Sequence, residues 1–379
     1  MTRRVILAGA GHAHAQVLQA WQHQALPGVE LVVVSPHALA PYSGMVPGWL
    51  AGTYAYEAIA IDFAALCRQA GARWVPASID RMDPDQRCVH LDTGETLSYD
   101  WLSLNTGSTL TPPAGAFAAQ VLSMRPLSRL RTDFEQLLAR WQQDDSTEPF
   151  RVTAVGGGAA GFESLLAVLK RLRALRPDRC VQGALMTRGS VLLPGYPAGA
   201  RRAALRALRQ ADVSLHLGTA WSDGYGRESD LVLWATGAQA HAWQRAPERR
   251  GGLATSPEGF VWIDTQLRSV SHPNIFAVGD CAQWHTPLPK AGVYAVRMGP
   301  VLAHNLRAAL TGQALQHYTP QAHFLTLLAT ADGRAIASRG RLSLSGAWAW
   351  RWKDHIDRSF VRRFSPPASQ SAHTPGETP

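Results

Sequence analysis

The sequence predicts an α/β protein: two Rossmann-like, doubly wound units and a small α+β region at the C-terminal end. Three observations carry this. A glycine-rich turn joining an apolar run to a helical pattern occurs twice, as VILAGAGHAH at 5–14 and as VTAVGGGAAGFE at 152–163. Each copy is followed later by a strand that ends in Thr-Gly, at 99–107 and at 229–237. A further apolar run ends in Gly279-Asp280. One G-x-G-x-x-G match is a weak signal, but a strand before it and a helix after it make it strong. A repeat of whole units strengthens it again.

The glycines have a physical reason. The first allows a tight turn. The second lets a pyrophosphate approach the backbone, where the following helix offers free N–H groups and a partial positive charge. Gly9 and Gly11 hold these places in the first copy. Gly156, Gly158 and Gly161 complete the second. His14 stands where the first copy would have its third glycine. Two such turns predict two bound dinucleotides.

The chain has 379 residues, enough for two or three domains. It is 46% hydrophobic and 17% charged, the composition of a globular protein. The net charge of +9 suits nucleic acid, an anionic membrane or anionic cofactors. No nucleic-acid motif occurs, and the basic residues are scattered apart from one concentration near the C-terminus, so nucleic acid is not an expected partner. The four cysteines, Cys67, Cys88, Cys180 and Cys281, form neither a CxxC nor a CxxxxC pair. They predict reduced, mostly buried thiols in a cytoplasmic protein, with no metal site. The N-terminal apolar run is too short and too broken by glycine and histidine for a signal peptide. No stretch is long enough to span a membrane.

Taken in order, residues 13–21 form the helix of the first βαβ unit. Residues 31–34, a continuous apolar run, form a strand buried on both faces of a parallel sheet. A ribose-binding acid is absent after it. Ser35 stands there instead, with a hydroxyl that can bond a ribose. PYSGMVPG at 41–48 reads as a loop or helix entry, because its prolines and glycines break regular structure. Residues 61–70 read as a helix, and 73–75, 88–91 and 96–99 as short strands with turns at Asp83-Pro84 and Thr93-Gly94. Leu127, Leu130, Phe134, Leu137, Leu138 and Trp141 have helical spacing. Residues 142–149 form the loop before the second glycine turn.

After that turn, Phe162, Leu165, Leu166, Leu169 and Leu172 make an apolar helix stripe. Residues 181–186 form the next strand, which runs into Thr187-Arg188. An acid there would favour NADH. Thr187 and Arg188 accommodate the extra phosphate of NADPH, or Arg188 is a plain surface charge. Residues 274–282 hold a buried strand ending in Gly-Asp. A segment PKAGVYAVR at 289–297 and a helix through Leu306 follow.

Together these features resemble the two-dinucleotide-binding flavoproteins of the pyridine nucleotide-disulfide oxidoreductase type, over residues 5–306. The resemblance implies FAD at the first turn and NAD(P)H at the second, with the second domain inserted in the first. The FAD-binding domain would comprise 1–115 and 253–318, and the NAD(P)H-binding domain 116–252. A C-terminal hairpin and amphipathic helix would follow at 319–364. The Pro/Ser/Thr-rich tail, 365–379, reads as disordered. The CxxxxC dithiol of the disulfide reductases is missing, and the chain is more similar to type II NADH dehydrogenases and sulfide:quinone oxidoreductases. GHAH at 11–14, PYSGM at 41–45, PKAGVYAVR at 289–297 and WRWKDHIDR at 350–358 are most similar to the flavoprotein found alone or fused to the N-terminus of selenide, water dikinase.

The implied activity is FAD-dependent oxidoreduction: hydride from NAD(P)H to flavin, then electrons to a quinone-like acceptor. Two alternatives stand beside it. One is a redox step on a selenium or sulfur compound linked to selenophosphate synthesis. The other is a flavin-binding sensor with little turnover. By resemblance, Gly9 and Gly11 hold FAD, with His12, His14, Ser35, Thr106 and Gly107 also in its site. Gly279 and Asp280 would reach its ribityl or pyrophosphate region. Lys290, Ala291 and Gly292 would lie at the flavin N1/O2 edge, beside a helix N-terminus. Gly156, Gly158, Gly161, Arg188, Thr236 and Gly237 would hold NAD(P)H. Glu163 matches a glutamate near the flavin–nicotinamide contact, and Glu163 and Lys290 are the candidate catalytic residues. Their plainer readings are a first-turn helix acid and a solvated lysine.

At the C-terminal end, 324–328 and 334–339 predict a hairpin around Asp332-Gly333. Trp348, Trp352, Ile356, Phe360 and Phe364 then recur every fourth residue, with Arg351, Lys353, Arg358, Arg362 and Arg363 off the stripe. Such a basic amphipathic helix at 348–364 suits a peripheral contact with the inner face of a membrane, where a quinone is reached. It also suits a cap on the flavin domain or a dimer contact.

Overall fold

The structure is a computed structural model that describes residues 2–112, 119–221 and 228–365. Two five-stranded sheets organise it. The first runs in the order Ile275–Ala277, Trp101–Leu104, Arg3–Ala8, Val29–Val34, Arg73–Val75. The second runs Gln120–Ser123, Leu231–Trp234, Phe150–Val155, Val181–Thr187, Val213–Leu217. Every pairing in both is parallel. This is the predicted α/β class, and the repeat extends to layout. In each sheet the strand before the glycine turn lies between the Thr-Gly strand and the strand that follows in sequence.

Register brings the motifs together. Val5 pairs with Trp101 and Ala8 with Leu104, while Val152 pairs with Leu231 and Val155 with Trp234. Each glycine turn therefore leaves its sheet beside its own Thr-Gly segment, at the carboxyl ends where open α/β sheets bind ligands. The uninterrupted apolar strands are buried as parallel strands require: Ile6, Leu7, Val32 and Val33 have no exposed surface.

The chain leaves the first sheet after Leu104 and returns to it at Ile275. The two crossing segments are tied to each other. Thr109 and Gln239 exchange backbone hydrogen bonds, both 2.8 Å. His241 Nε2 donates to the carbonyl of Thr106 at 2.9 Å. The core follows the same division, with one large apolar cluster about each sheet and a smaller one, including Val155, Met186, Val232 and Trp234, on the second. Met45, Trp49 and Ile59, from the stretch after Val29–Val34, nevertheless belong to the second cluster, where Trp49 meets Phe134 edge-on at 5.2 Å.

Several local expectations need correction. Residues 61–70 are not one helix: Ala60–Asp62 is a strand paired with Leu39–Pro41, and the helix is Phe63–Ala70. Asp62 sets that boundary by accepting from Ala65 N–H at 2.9 Å as the N-cap. The 41–48 stretch is more regular than its prolines suggested. It holds a 3-10 turn, Ser43–Met45, and a short helix, Val46–Leu50. Pro47 sits in the first turn of that helix, where the missing N–H costs nothing. The strands Ile79–Asp83 and Leu342–Gly346 were not anticipated. Each completes a three-stranded antiparallel sheet, the second with the predicted hairpin strands Thr326–Ala329 and Ala335–Arg339. All four cysteines are free, but only Cys67 and Cys281 are buried.

The C-terminal helix, Ala347–Arg362, does not bury its aromatic stripe as a whole. Phe360 and Phe364 are buried, while Trp348, Trp352 and Ile356 are 45%, 43% and 37% exposed. The buried face is Ala349, Lys353, Asp357, Phe360 and Val361. An internal Lys353–Asp357 pair takes the place that periodicity assigned to apolar side chains. Most of the predicted tail, 366–379, lies outside the described residues. Among the described residues no helix is long and apolar enough to cross a membrane.

Candidate functional site

The first glycine turn is packed around Asn105. Gly9 has φ +99°, and a Cβ there would sit 2.5 Å from the Asn105 carbonyl oxygen. A Cβ on Gly11 would collide with the Asn105 side chain. Asn105 Oδ1 accepts from Ala13 N–H at 3.1 Å, and Nδ2 donates to Val278 O at 2.9 Å. Nδ2 also lies 2.8 Å from where a Cβ on Gly279 would be. One buried amide thus joins the glycine turn, the Thr106-Gly107 end and the Gly279-Asp280 turn. Sequence reasoning passed over it, although it directly precedes Thr106.

His14 is buried and fills the place of a third glycine. Its Nδ1 donates to Gly9 O at 2.7 Å, so its Nε2 accepts from the Ser103 hydroxyl at 2.9 Å. Burial pushes its pKa down to about 4, so the ring is neutral. His12 is likewise pushed down to about 4 by burial, against the raising effect of Asp280. Its Nε2 accepts from Ser43 N–H at 3.4 Å, and its ring meets Tyr42 edge-on at 5.1 Å. A Cβ on Gly292 would lie 2.5 Å from Ser43 Oγ and 3.8 Å from the His12 ring. The first turn, the 41–48 segment and the start of the helix Gly292–Thr311 therefore converge on His12. Ser35 is buried beyond the next strand, and its hydroxyl bonds the carbonyl of His37 at 3.3 Å.

Asp280 has a partner that the sequence reading missed. Arg125 donates to Asp280 Oδ2, to Ser108 Oγ and, at 3.0 Å, to the carbonyl of Lys290. Arg125 lies just past the edge strand Gln120–Ser123 of the second sheet, so this cluster links that sheet to the first sheet's ligand end. Lys290 itself turns away from it. Its Nζ donates to Ala282 O at 2.6 Å and lies 3.7 Å over the Phe260 ring. Burial lowers its pKa. Ala291 is the N-cap of the following helix.

The second turn repeats the geometry. Gly156 has φ +129°, and a Cβ there would sit 2.5 Å from Ala235 O and 3.3 Å from Thr236 N. A Cβ on Gly161 would strike the Gly156 carbonyl. Gly158 caps the helix Ala159–Leu175 and has open space on its Cβ side, as do Gly107 and Gly237. Arg188 is exposed at the end of the next strand, and Thr187 packs under Gly157.

Glu163 is the fifth residue of that helix, past its first turn, so it is not the dipole-stabilised first-turn acid of the plainer reading, and it is partly buried. Its Oε1 accepts from Ala329 N–H at 2.7 Å. Burial pushes its pKa up to about 7, against the lowering effects of Lys353 and the Ala329 bond. It walls a cavity of about 150 Å³ with Pro47, Thr53, Lys170, Ala329 and Trp350. The cavity lies where the first sheet's 46–53 segment, the second unit's helix and the C-terminal hairpin meet. Glu163 and Lys290 line different cavities and are not brought together. Lys353 and Asp357, not assigned to the site from sequence, are a buried ion pair whose charges act on Glu163, Lys353 lowering and Asp357 raising its pKa; an apolar-stripe reading hides charged residues that point inward. Among the described residues no cluster could hold a metal ion.

The residues fit two dinucleotides on three observations. The helices His12–His23 and Ala159–Leu175 each begin directly after a glycine, Gly11 and Gly158, the Cβ sides of Gly107, Gly158 and Gly237 are open, and Asp280 and Arg125 offer an acceptor and a donor beside the first turn. Fold and site thus define a protein with two nucleotide-binding units, one chain threaded through both. Residues 3–305 match the pyridine nucleotide-disulphide oxidoreductase family, and the chain belongs to it. It is 26% identical over 260 residues to the alternative NAD(P)H-ubiquinone oxidoreductase C1 of Arabidopsis thaliana, covering 60% of this chain and 49% of that one. It spans about half that relative's length, and 24% of the large subunit of Klebsiella oxytoca nitrite reductase. In fold it is similar to the sulfide:quinone oxidoreductase of Aquifex aeolicus, with a TM-score of 0.75 at 17% identity, over 96% of this chain and 91% of that one. It is also similar to NDH2 from Plasmodium falciparum in complex with NADH, with a TM-score of 0.73 at 12% identity, over 96% and 98% of the two chains.

Proposed function

We propose that this protein is an FAD-dependent NAD(P)H oxidoreductase that delivers electrons to a quinone-like acceptor. The observation that carries the reading is the position of Glu163. The second glycine turn starts the helix that carries it, and the same carboxyl walls a cavity shared with the first unit and the C-terminal hairpin. In this reading, 1–115 and 253–318 form the FAD domain and 116–252 the NAD(P)H domain. Gly9, Gly11, Arg125 and Asp280 would hold FAD, which would supply the chemistry of hydride acceptance from NAD(P)H and electron delivery to the acceptor. Asn105 holds the first turn in shape, and Arg125 and Asp280 fix the cofactor beside it. His12 and His14 stay neutral and add no charge to the site. Glu163 holds a proton near neutral pH and gives it to the acceptor as that gains electrons. Trp350 and Pro47 supply the apolar wall that an aromatic acceptor needs. Arg188 takes the extra phosphate of NADPH.

The same reading places the protein at a membrane surface. Five of the eight large hydrophobic side chains exposed among the described residues are Leu342, Leu344, Trp348, Trp352 and Ile356. They lie on the strand Leu342–Gly346 and the helix Ala347–Arg362, and Trp348 and Trp352 stack at 6.2 Å. A patch of this kind marks an interaction surface. Phe360 and Phe364 are part of the core instead. A second acceptor class, a selenium or sulfur compound, rests on the resemblance at 11–14, 41–45, 289–297 and 350–358.

The test is anaerobic. FAD-loaded protein is mixed with NADH or NADPH, bleaching of the flavin absorbance is followed, and a panel of quinones, selenium and sulfur compounds is then added. Rapid bleaching and reoxidation by quinone are expected. Bleaching no faster than that of free flavin would leave only a flavin-binding sensor. Reoxidation by selenium or sulfur compounds alone would replace the quinone.

A further inference from the structure

Three successive turns of the C-terminal helix hold one side chain. Trp350, Asp354 and Arg358 are spaced four residues apart, so they lie in a row on one face. Tyr54, 7% exposed, meets all three. Its ring stacks on Trp350 with centroids 6.2 Å apart. Its hydroxyl donates to Asp354 Oδ1 at 2.5 Å. Burial, and then that bond, push its pKa up, so the hydroxyl keeps its proton. Arg358 donates to the same Oδ1 at 2.7 Å, and its guanidinium carbon lies 4.9 Å from the centroid of the Tyr54 ring. An exposed ion pair one turn apart adds little stability, so Asp354–Arg358 by itself is a weak reason for these residues.

The place of Tyr54 offers a better one. A Cβ on Gly48 would sit 2.4 Å from Tyr54 Cε2, so the ring closes on that backbone. Gly48, Thr53 and Trp350 all line the cavity that Glu163 walls. The Tyr54 ring therefore touches two walls of the cavity, one on the 46–53 segment and one on the helix. The segment's own bonds, Ala51 N–H to Pro47 O at 3.0 Å and Thr53 N–H to Gly48 O at 2.8 Å, shape its turn but do not reach the helix. Lys353 reaches the neighbouring chain only at Gly44, ahead of that wall. We propose that Asp354 is a positioning residue for the electron acceptor. Through its bond to the Tyr54 hydroxyl it fixes the ring that sets the spacing of Gly48 and Trp350, and so the width of the cavity that an aromatic acceptor enters. This rests on the reading of that cavity as the acceptor site.

The test has two readouts. The first is steady-state turnover of the FAD-loaded protein with NAD(P)H and a short-tailed ubiquinone. Asp354→Leu and Tyr54→Phe each break the bond and keep the bulk in place. Each should raise KM for the quinone about tenfold, the worth of one hydrogen bond to a charged group, with kcat within about twofold. The double variant should be no worse than either single one, because both remove the same contact. The second readout needs no quinone. In hydrogen exchange followed by mass spectrometry, the amides of Ala51 and Thr53 should exchange about tenfold faster in both variants, with the strand Val29–Val34 unchanged. An unchanged KM in Asp354→Leu overturns the proposal, and faster exchange beside it would leave Asp354 as a dock for the helix alone. A double variant about tenfold worse than Tyr54→Phe also overturns it, because Asp354 would then act by another route. If Asp354→Leu does not fold, Tyr54→Phe decides on both readouts. A parent protein that quinone does not reoxidise would remove the quinone reading, and the exchange rates alone would then decide whether Asp354 fixes the wall.

Discussion

A methyl group on Gly161 would run into the carbonyl of Gly156, and backbone cannot move aside as a side-chain tip can. Gly161→Ala should therefore destabilise the protein by about 1–3 kcal/mol, read as a lower midpoint in urea unfolding, and should weaken NAD(P)H binding. His14 gives a second prediction through pH. In the unfolded chain its pKa is about 6.5, and in the folded protein burial holds it near 4. Between those values the unfolded chain binds the proton and the folded one does not. Stability is thus fully present above about 6.5 and is lost as pH falls toward about 4, on the order of 3 kcal/mol for this one group. His14→Asn, whose amide can still donate to Gly9 O, should flatten that slope in thermal unfolding measured across the window.

The C-terminal helix carries two kinds of surface. Its inner face, Lys353, Asp357 and Phe360, touches the segment around Tyr42 and Gly44. Its outer face exposes Trp348, Trp352 and Ile356. If that face meets lipid, Trp348→Ser and Trp352→Ser should each weaken binding to anionic phospholipid vesicles by about tenfold, the effect of withdrawing one large apolar side chain from an apolar phase. Sedimentation with vesicles measures this, and unchanged binding in both variants would remove the membrane reading. Phe360→Ser should behave differently. It opens a cavity in the core and should lower the melting temperature instead.

At the scale of the whole molecule, the proposed reaction sends electrons and a proton by different routes, so one substitution should separate them. Glu163→Gln should leave the rate of bleaching by NAD(P)H within about twofold and slow reoxidation by quinone by about a hundredfold, the usual worth of one general acid. With Glu163 pushed up to about 7, the parent protein holds that proton below neutrality and loses it above. Turnover with quinone should therefore fall as pH rises past about 7, and Glu163→Gln should lack that limb. Stopped-flow measurement of the two half-reactions at several pH values checks both statements. A hundredfold slower bleaching step would instead place Glu163 in nicotinamide binding.

Much of this was legible in the chain because the signals are local. Continuous apolar strands, two glycine turns and two Thr-Gly ends fixed the α/β class and the repeated layout, since buried parallel strands need unbroken apolar runs and tight turns need glycine. The Asp332-Gly333 hairpin was legible for the same reason. What only the tertiary structure decided involves polar groups that meet across long separations. Arg125 reaches Asp280, 155 residues away, and Lys353 reaches Gly44, 309 residues away. Asn105 joins three turns from the middle of an ordinary strand end. No periodicity marks such residues, because their partners lie on other elements and appear only when those elements pack. The same reason split the aromatic stripe of the last helix. Spacing every four residues defined a face, but the buried Lys353–Asp357 pair decided which side of the helix turned inward.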